Sequence, residues 1–228
     1  MKKELTIVVL VVLAAACGGN GKAGKAGDPS TDAQGKLGDG DVNGYGDGKT
    51  GVVKMTLKNV KYWVYNIQDV NTDRQREELV GSHFDLYVLE PVITEKGEEA
   101  FDIAGLVKEI RDHNIKTRGV DPLIIAYVDV GQAETWRWYW EEGWGVGNPE
   151  WIVGEDPDNW EGCLPVAYWH EEWQDIVIYG HGDDDRSHVG DVLKVGFDGI
   201  YLDWVEAFSD ENVVAKAQSR SSCAGQAN

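Results

Sequence analysis

Positive charge is what this chain most lacks. Its 21 lysines and arginines face 40 aspartates and glutamates, for a formal charge of −19. Binding to a phosphate backbone needs cations, so DNA and RNA are not expected partners. The same acidity would attract a cationic polymer, and it serves solubility equally well. Also missing are a Ser-His-Asp constellation, a phosphate-cradling glycine loop and a dinucleotide fingerprint. No cofactor is therefore expected. No metal is expected either: the run 181–188 has ligand-type residues without a zinc spacing, and reads as a polar loop. The run 39–47 copies the start of an EF-hand calcium loop, but Thr50 stands where its bidentate glutamate belongs.

Apolar runs long enough to cross a bilayer are absent as well. The largely apolar stretch from Leu5 to Ala16 follows Lys2 and Lys3 and ends in Ala14-Ala15-Ala16-Cys17, which reads as an export signal. Cysteine directly after small residues resembles the bacterial lipoprotein signal. The expectation is a signal peptide over 1–16 and a lipidated Cys17, with the mature chain outside the cytoplasm and held to a membrane by its acyl chains. An ordinary secretory signal with an incidental Cys17 is the alternative. Cys163 and Cys223 are then the two thiols left to pair, one near an insertion and the other in the tail. Residues 17–51 are rich in Gly, Ala, Asp and Lys and bury too little to offset their ordering entropy, so they read as a tether. Residues 52–228 carry the folded domain, with oligomeric state left open.

What the chain does have is apolar strands that end in carboxylates. Gly199-Ile200-Tyr201-Leu202 runs into Asp203, with Glu206 close behind. Leu123-Ile124-Ile125-Ala126-Tyr127-Val128 runs into Asp129, with Glu134 close behind. Continuous apolar runs of this length suit strands buried on both faces, and in α/β folds the chemistry gathers where such strands stop. The plainer alternative is that these acids open the following helices, where they suit the dipole. Eight of the ten tryptophans fall between Trp136 and Trp173. Indole faces stack on the C–H faces of sugar rings, so this density beside carboxylates favours a carbohydrate cleft, although aromatic residues also fill space between helices and sheet.

The periodicity predicts strands over 62–67, 84–91, 123–130 and 199–204. Helices are predicted over 73–80, 171–179 and 210–218, together with the apolar stripe Ile103, Leu106, Val107 and Ile110. A tryptophan-rich insertion over 135–161 follows the third strand. Alternation of strands and helices implies a parallel sheet with right-handed crossovers.

Four of these segments, in this order, resemble the endo-α-1,4-polygalactosaminidase family, glycoside hydrolase family 114, and its bacterial TIM-barrel relatives. They are residues 126–134, Arg137-Trp138-Tyr139-Trp140, 168–173 and 196–203, and the likeness spans about residues 58–210. The resemblance implies a parallel (β/α) TIM-barrel type fold and cleavage of a galactosamine-containing α-1,4-linked polysaccharide. It matches Asp203 to the family's catalytic aspartate. The family pattern often has Gly-Glu-Ala-Glu where this chain has Gly131-Gln132-Ala133-Glu134. Its other key glutamate comes from a later strand, so within these residues Glu206, Glu134 and Asp129 are the candidate partners for Asp203. Glu90, Tyr127, Glu134, Arg137, Trp138 and Trp169 are expected to line the substrate groove, Glu90 meeting a sugar ammonium. A closed barrel needs eight βα units. About four are legible here, which reads as half a barrel, and a glycan-binding protein without activity, or an inactive fragment of such an enzyme, is the alternative function.

Overall fold

The computed structural model describes residues 51–182 and 185–224. The expected signal peptide, lipidation site and tether, and the calcium-like run, lie outside the described residues. Within them the chain order is β1 (Val53–Lys54), β2 (Trp63–Asn66), α1 (Asp73–Gly81), β3 (Leu86–Leu89), α2 (Ile103–Arg118), β4 (Val120–Asp121) and β5 (Leu123–Asp129). The hairpin strands β6 (Gln132–Glu134) and β7 (Cys163–Pro165) enclose the insertion. Then come α3 (Glu171–Gln174), α4 (His188–Lys194), β8 (Gly199–Asp203) and α5 (Glu211–Ala224). The fold is mixed α/β around a parallel sheet ordered β2-β3-β5-β8, compatible with part of an α/β barrel.

Local signals set the helix ends. The Asp102 carboxylate accepts from the Gly105 N–H at 2.8 Å to cap α2, and Gly119 closes it in the left-handed region at φ 66°. Lys116 and Arg118 sit in the last turn, where cations oppose the dipole. The helix over 171–179 divides: a turn of α-helix passes into a π-turn over Asp175–Tyr179. The fourth strand stops one residue early, because Trp204 adopts φ 55° and starts a 3-10 turn, Val205–Ser209. The last helix runs on to Ala224.

Burial explains the apolar strand sequences. Every residue of β3 and β5 is buried. Tyr87, Leu89, Ile124, Ala126 and Val128 pack towards the helices. Leu86, Val88, Leu123, Ile125, Tyr127 and Tyr201 form a second cluster on the opposite, inward face. The register continues that inward row to its last pair, Asp129 opposite Asp203.

The register is pinned at the other end of the same strands. Asp198 accepts from the Ile124 N–H at 2.9 Å and from Arg111 Nη2 at 2.9 Å, and Lys54 Nζ reaches it at 3.0 Å. Arg111 and Lys54 also bridge to Asp121, at 2.5 and 3.1 Å. Burial alone would raise the Asp198 carboxyl, but the Arg111 guanidinium, the Ile124 N–H and Lys54 outweigh it and hold the group below the usual aspartate range. This ionic clasp joins β1, α2, β4, β5 and the start of β8, so a one-residue slip that would turn Asp129 or Asp203 to the helix side is opposed from below.

Candidate functional site

The carboxylate-bearing rim lies at the C-terminal ends of β3, β5 and β8. At its base Arg137, with no exposed surface, is held by two glutamates. Its Nε donates to Glu134 Oε2 at 2.6 Å, and its two terminal nitrogens grip Glu90 at 2.5 and 3.1 Å. Thr94 Oγ1 takes a further bond from Nη1 at 2.7 Å. Bidentate pairing of this kind is strong and directional, and a buried guanidinium needs it. Burial raises the Glu90 and Glu134 carboxyls, with Arg137 opposing the rise in each.

From the sequence, Glu90, Glu134 and Arg137 are expected on the groove wall. The structure puts all three beneath it: each is buried, and the charge of Arg137 is spent on the two glutamates. They join the segment after β3 to the β6 loop and so stiffen the rim. Glu90 is 4% exposed and both its oxygens are held by Arg137, so it is not presented to a sugar ammonium.

Asp129 is also buried, and one oxygen accepts from the N–H groups of Gly131 and Gln132 at 2.9 and 2.8 Å. Burial first, then the charges of Glu134 and Asp203, hold its carboxyl well above the usual range, against those two N–H donors. Across the register, Asp203 is half-buried and Tyr127 Oη donates to its Oδ2 at 2.8 Å. Glu206 is exposed on the 3-10 turn just beyond, near enough to Tyr201 for its charge to be felt there. Asp203, Asp129, Glu134 and Tyr127 are thus brought together, with Glu206 at the edge.

Gly131 makes the close approach of the two loops possible. A Cβ there would lie 2.3 Å from the Trp204 carbonyl oxygen and 2.9 Å from the Ala207 Cβ, so the loop after β5 can rest on the loop after β8 only without a side chain. Beside this contact an apolar groove of about 360 Å³ opens between Gly131, Trp173, Val177, Trp204 and Phe208.

The tryptophans divide between packing and surface. Trp140, Trp144, Trp151 and Trp173 form a chain of ring contacts at 5.6, 5.1 and 5.2 Å that fills the insertion, and Trp151 and Trp173 are fully buried. Trp138 is half-buried under the Arg186 guanidinium, 4.3 Å from its ring. Trp169 is half-buried against Tyr168. Trp136 and Trp160 keep open faces. Cys163 is a free thiol whose pKa burial, then Glu134 and Asp129, push up to about 12. The Cys223 side chain lies outside those described.

Several contributors carried no clear sequence signal. Thr94 closes a short 3-10 turn, Val92–Thr94, Asp156 sits in an irregular segment, and Tyr65 on β2 gave no hint of its place near the acids. Asp156 accounts for Gln132: its carboxylate accepts from the Gln132 amide at 2.5 Å and from the N–H groups of Asp158 and Trp160 at 2.8 and 2.9 Å. A neutral amide is the side chain that can donate there.

No family model matches the chain. An uncharacterized protein of Methanocaldococcus jannaschii is 34% identical over 172 residues, 72% of this chain and 44% of that protein. One of Thermotoga maritima is 34% identical over 157 residues, 68% of this chain and 42% of that protein. One of Deinococcus radiodurans is 42% identical over 85 residues. The chain spans less than half the length of these relatives. Among solved structures, the glycoside hydrolase domain of PelA from Pseudomonas aeruginosa is a distant neighbour, with a TM-score of 0.39 and 13% identity over 69% of this chain and 50% of that one.

Gln132→Glu is expected to set a second carboxylate against Asp156. One of the two must then keep a proton, so its folded pKa rises above the unfolded value, and the stability it allows is retained in acid and lost as pH rises through that raised pKa. Urea unfolding should show the variant about 1–3 kcal/mol less stable than the parent at pH 8 and nearer to it at pH 5. An equal deficit at both pH values would contradict the contact.

Proposed function

We propose that this chain is a glycoside hydrolase acting on galactosamine-containing, α-1,4-linked polysaccharide, with its centre at Asp203 and Asp129. The observation that carries the reading is the pairing of these two aspartates, one on a tyrosine hydroxyl and one buried among like charges, at the C-terminal ends of adjacent parallel strands. A (β/α) barrel, of which the sheet forms part, is the architecture that goes with it.

In this mechanism Asp203 is the working carboxylate. Its Oδ2 is steadied by Tyr127, and its other oxygen attacks the anomeric carbon or takes the proton of the water that does. As the glycosidic C–O bond breaks, the leaving oxygen takes a proton from the partner carboxyl. Asp129 suits that part: like charges and burial favour its protonated form, and pairs of acids whose environments differ divide the roles of acid and base. In the first case water then displaces Asp203 from the anomeric carbon, leaving its hydroxyl there and its proton on Asp129; in the second the proton that Asp203 took from water passes through solvent to Asp129, and both acids are restored. With Arg137 offset by two glutamates and Asp203 charged, the rim is net negative, which favours a substrate bearing ammonium groups.

A second reading is a protein that grips such a glycan without cleaving it. The burial of Asp129 favours it, since an acid must reach the leaving oxygen. Both readings place the chain outside the cytoplasm, held to a membrane through a lipid on Cys17. Metabolic labelling with palmitate should mark the parent and spare Cys17→Ala, and an unlabelled parent would refute the anchor.

Release of reducing ends from partly deacetylated α-1,4-galactosaminan tests the catalytic assignment. Asp203→Asn should lower kcat by at least about 10³-fold, with the substrate still bound. Undiminished turnover in that variant would remove Asp203 from the chemistry. Tight binding by the parent with no product would support the second reading.

A further inference from the structure

We propose that the hydroxyl of Tyr65 is a further substrate-contacting group of this site, donating a hydrogen bond to a sugar oxygen held against Asp203. The inference rests on the hydrolase reading and deepens it. Tyr65, Tyr127 and Tyr201 form a three-ring tile on the inward face. The Tyr65 ring meets Tyr127 and Tyr201 edge-on, with centroids at 6.2 and 5.4 Å, while those two stack on each other at 6.2 Å. Two edge contacts on a strand residue leave the ring little freedom, so its hydroxyl is pre-positioned.

The three hydroxyls are not equivalent. Tyr127 is 5% exposed and its hydroxyl is committed to Asp203; Tyr201 is 8% exposed. Tyr65 is 40% exposed, and its hydroxyl makes no hydrogen bond among the described residues. It nevertheless lies within electrostatic reach of the rim. Burial first, then Asp203, Tyr201, Asp129 and Glu134, push its phenol far above the usual tyrosine value. It therefore keeps its proton throughout the working pH range and can serve neither as a phenolate nucleophile nor as a proton source. What it has to offer is an O–H to donate, on a partly exposed ring within electrostatic reach of carboxylates that accept. A sugar hydroxyl lying between Tyr65 and Asp203 would satisfy both.

Tyr65→Phe keeps the ring contacts and deletes only the hydroxyl. Steady-state kinetics on galactosaminan should show kcat/KM about 3- to 10-fold lower, the size expected for one neutral hydrogen bond to substrate, with the thermal midpoint and the shape of the pH profile unchanged. Unchanged kcat/KM in an active parent would overturn the inference and leave the hydrolase reading intact. A lost limb of the pH profile would overturn it too, by making Tyr65 a proton source, and so would a loss matched by a lower thermal midpoint, which marks packing. If the parent binds deacetylated galactosamine oligosaccharides without cleaving them, calorimetry decides: a similar loss of affinity in Tyr65→Phe supports the contact and equal affinity overturns it. A parent that neither cleaves nor binds overturns the inference and the hydrolase reading together.

Discussion

A guanidinium with no exposed surface is tolerable only if carboxylates surround it, and Arg137 has two. This ion triad is the constraint on which the rim depends. Glu90 follows β3, Glu134 ends β6, and Arg137 opens the insertion, so one side chain reinforces the backbone bridge that already joins Glu95 to Arg137. Removing one member of a buried pair leaves an uncompensated charge, and the penalty is typically about 3–5 kcal/mol. The triad therefore supports the rim whether or not the ion pairs add net stability. Its excess carboxylate also adds to the negative field felt by Asp129.

Two clasps act at opposite ends of one sheet. Below, Asp198 binds Arg111, Lys54 and the Ile124 N–H, and so holds β5 and β8 in one register. Above, the Asp129 carboxylate caps the loop through the Gly131 and Gln132 N–H groups, and bare Gly131 lets that loop lie on Trp204. Fixing both ends makes the side-by-side placement of Asp129 and Asp203 a property of the whole sheet. A site built on strand ends keeps its geometry better than one carried by loops alone.

Much of this was legible in the residues. The apolar runs over 84–89 and 123–128 reveal strands buried on both faces, and their abrupt change to Glu90 and Asp129 reveals where they emerge. Asp203 was visible for the same reason. What periodicity cannot convey is the direction of a polar side chain past the strand end. Glu90 and Arg137 looked like groove residues, yet they turn to each other, because a cation and an anion near a core satisfy one another before they meet solvent. The tryptophans mislead similarly: composition counts them, but only packing separates Trp151 and Trp173, inside the insertion, from Trp136 and Trp160 on its surface. Asp156 left no trace because its work is done through a loop, and Tyr65 because an inward-facing ring on an edge strand reads as ordinary β-structure.

One electrostatic relation underlies the site: Asp129 and Asp203 share an inward face closely enough for Asp129 to feel the charge of Asp203. Carboxyl-carbon NMR titration of Asp129 tests it most directly. The predicted result is a titration well above the usual aspartate range that moves down in Asp203→Asn, where the neighbouring charge is gone. An Asp129 that titrates as an ordinary aspartate, and is indifferent to that substitution, would contradict it.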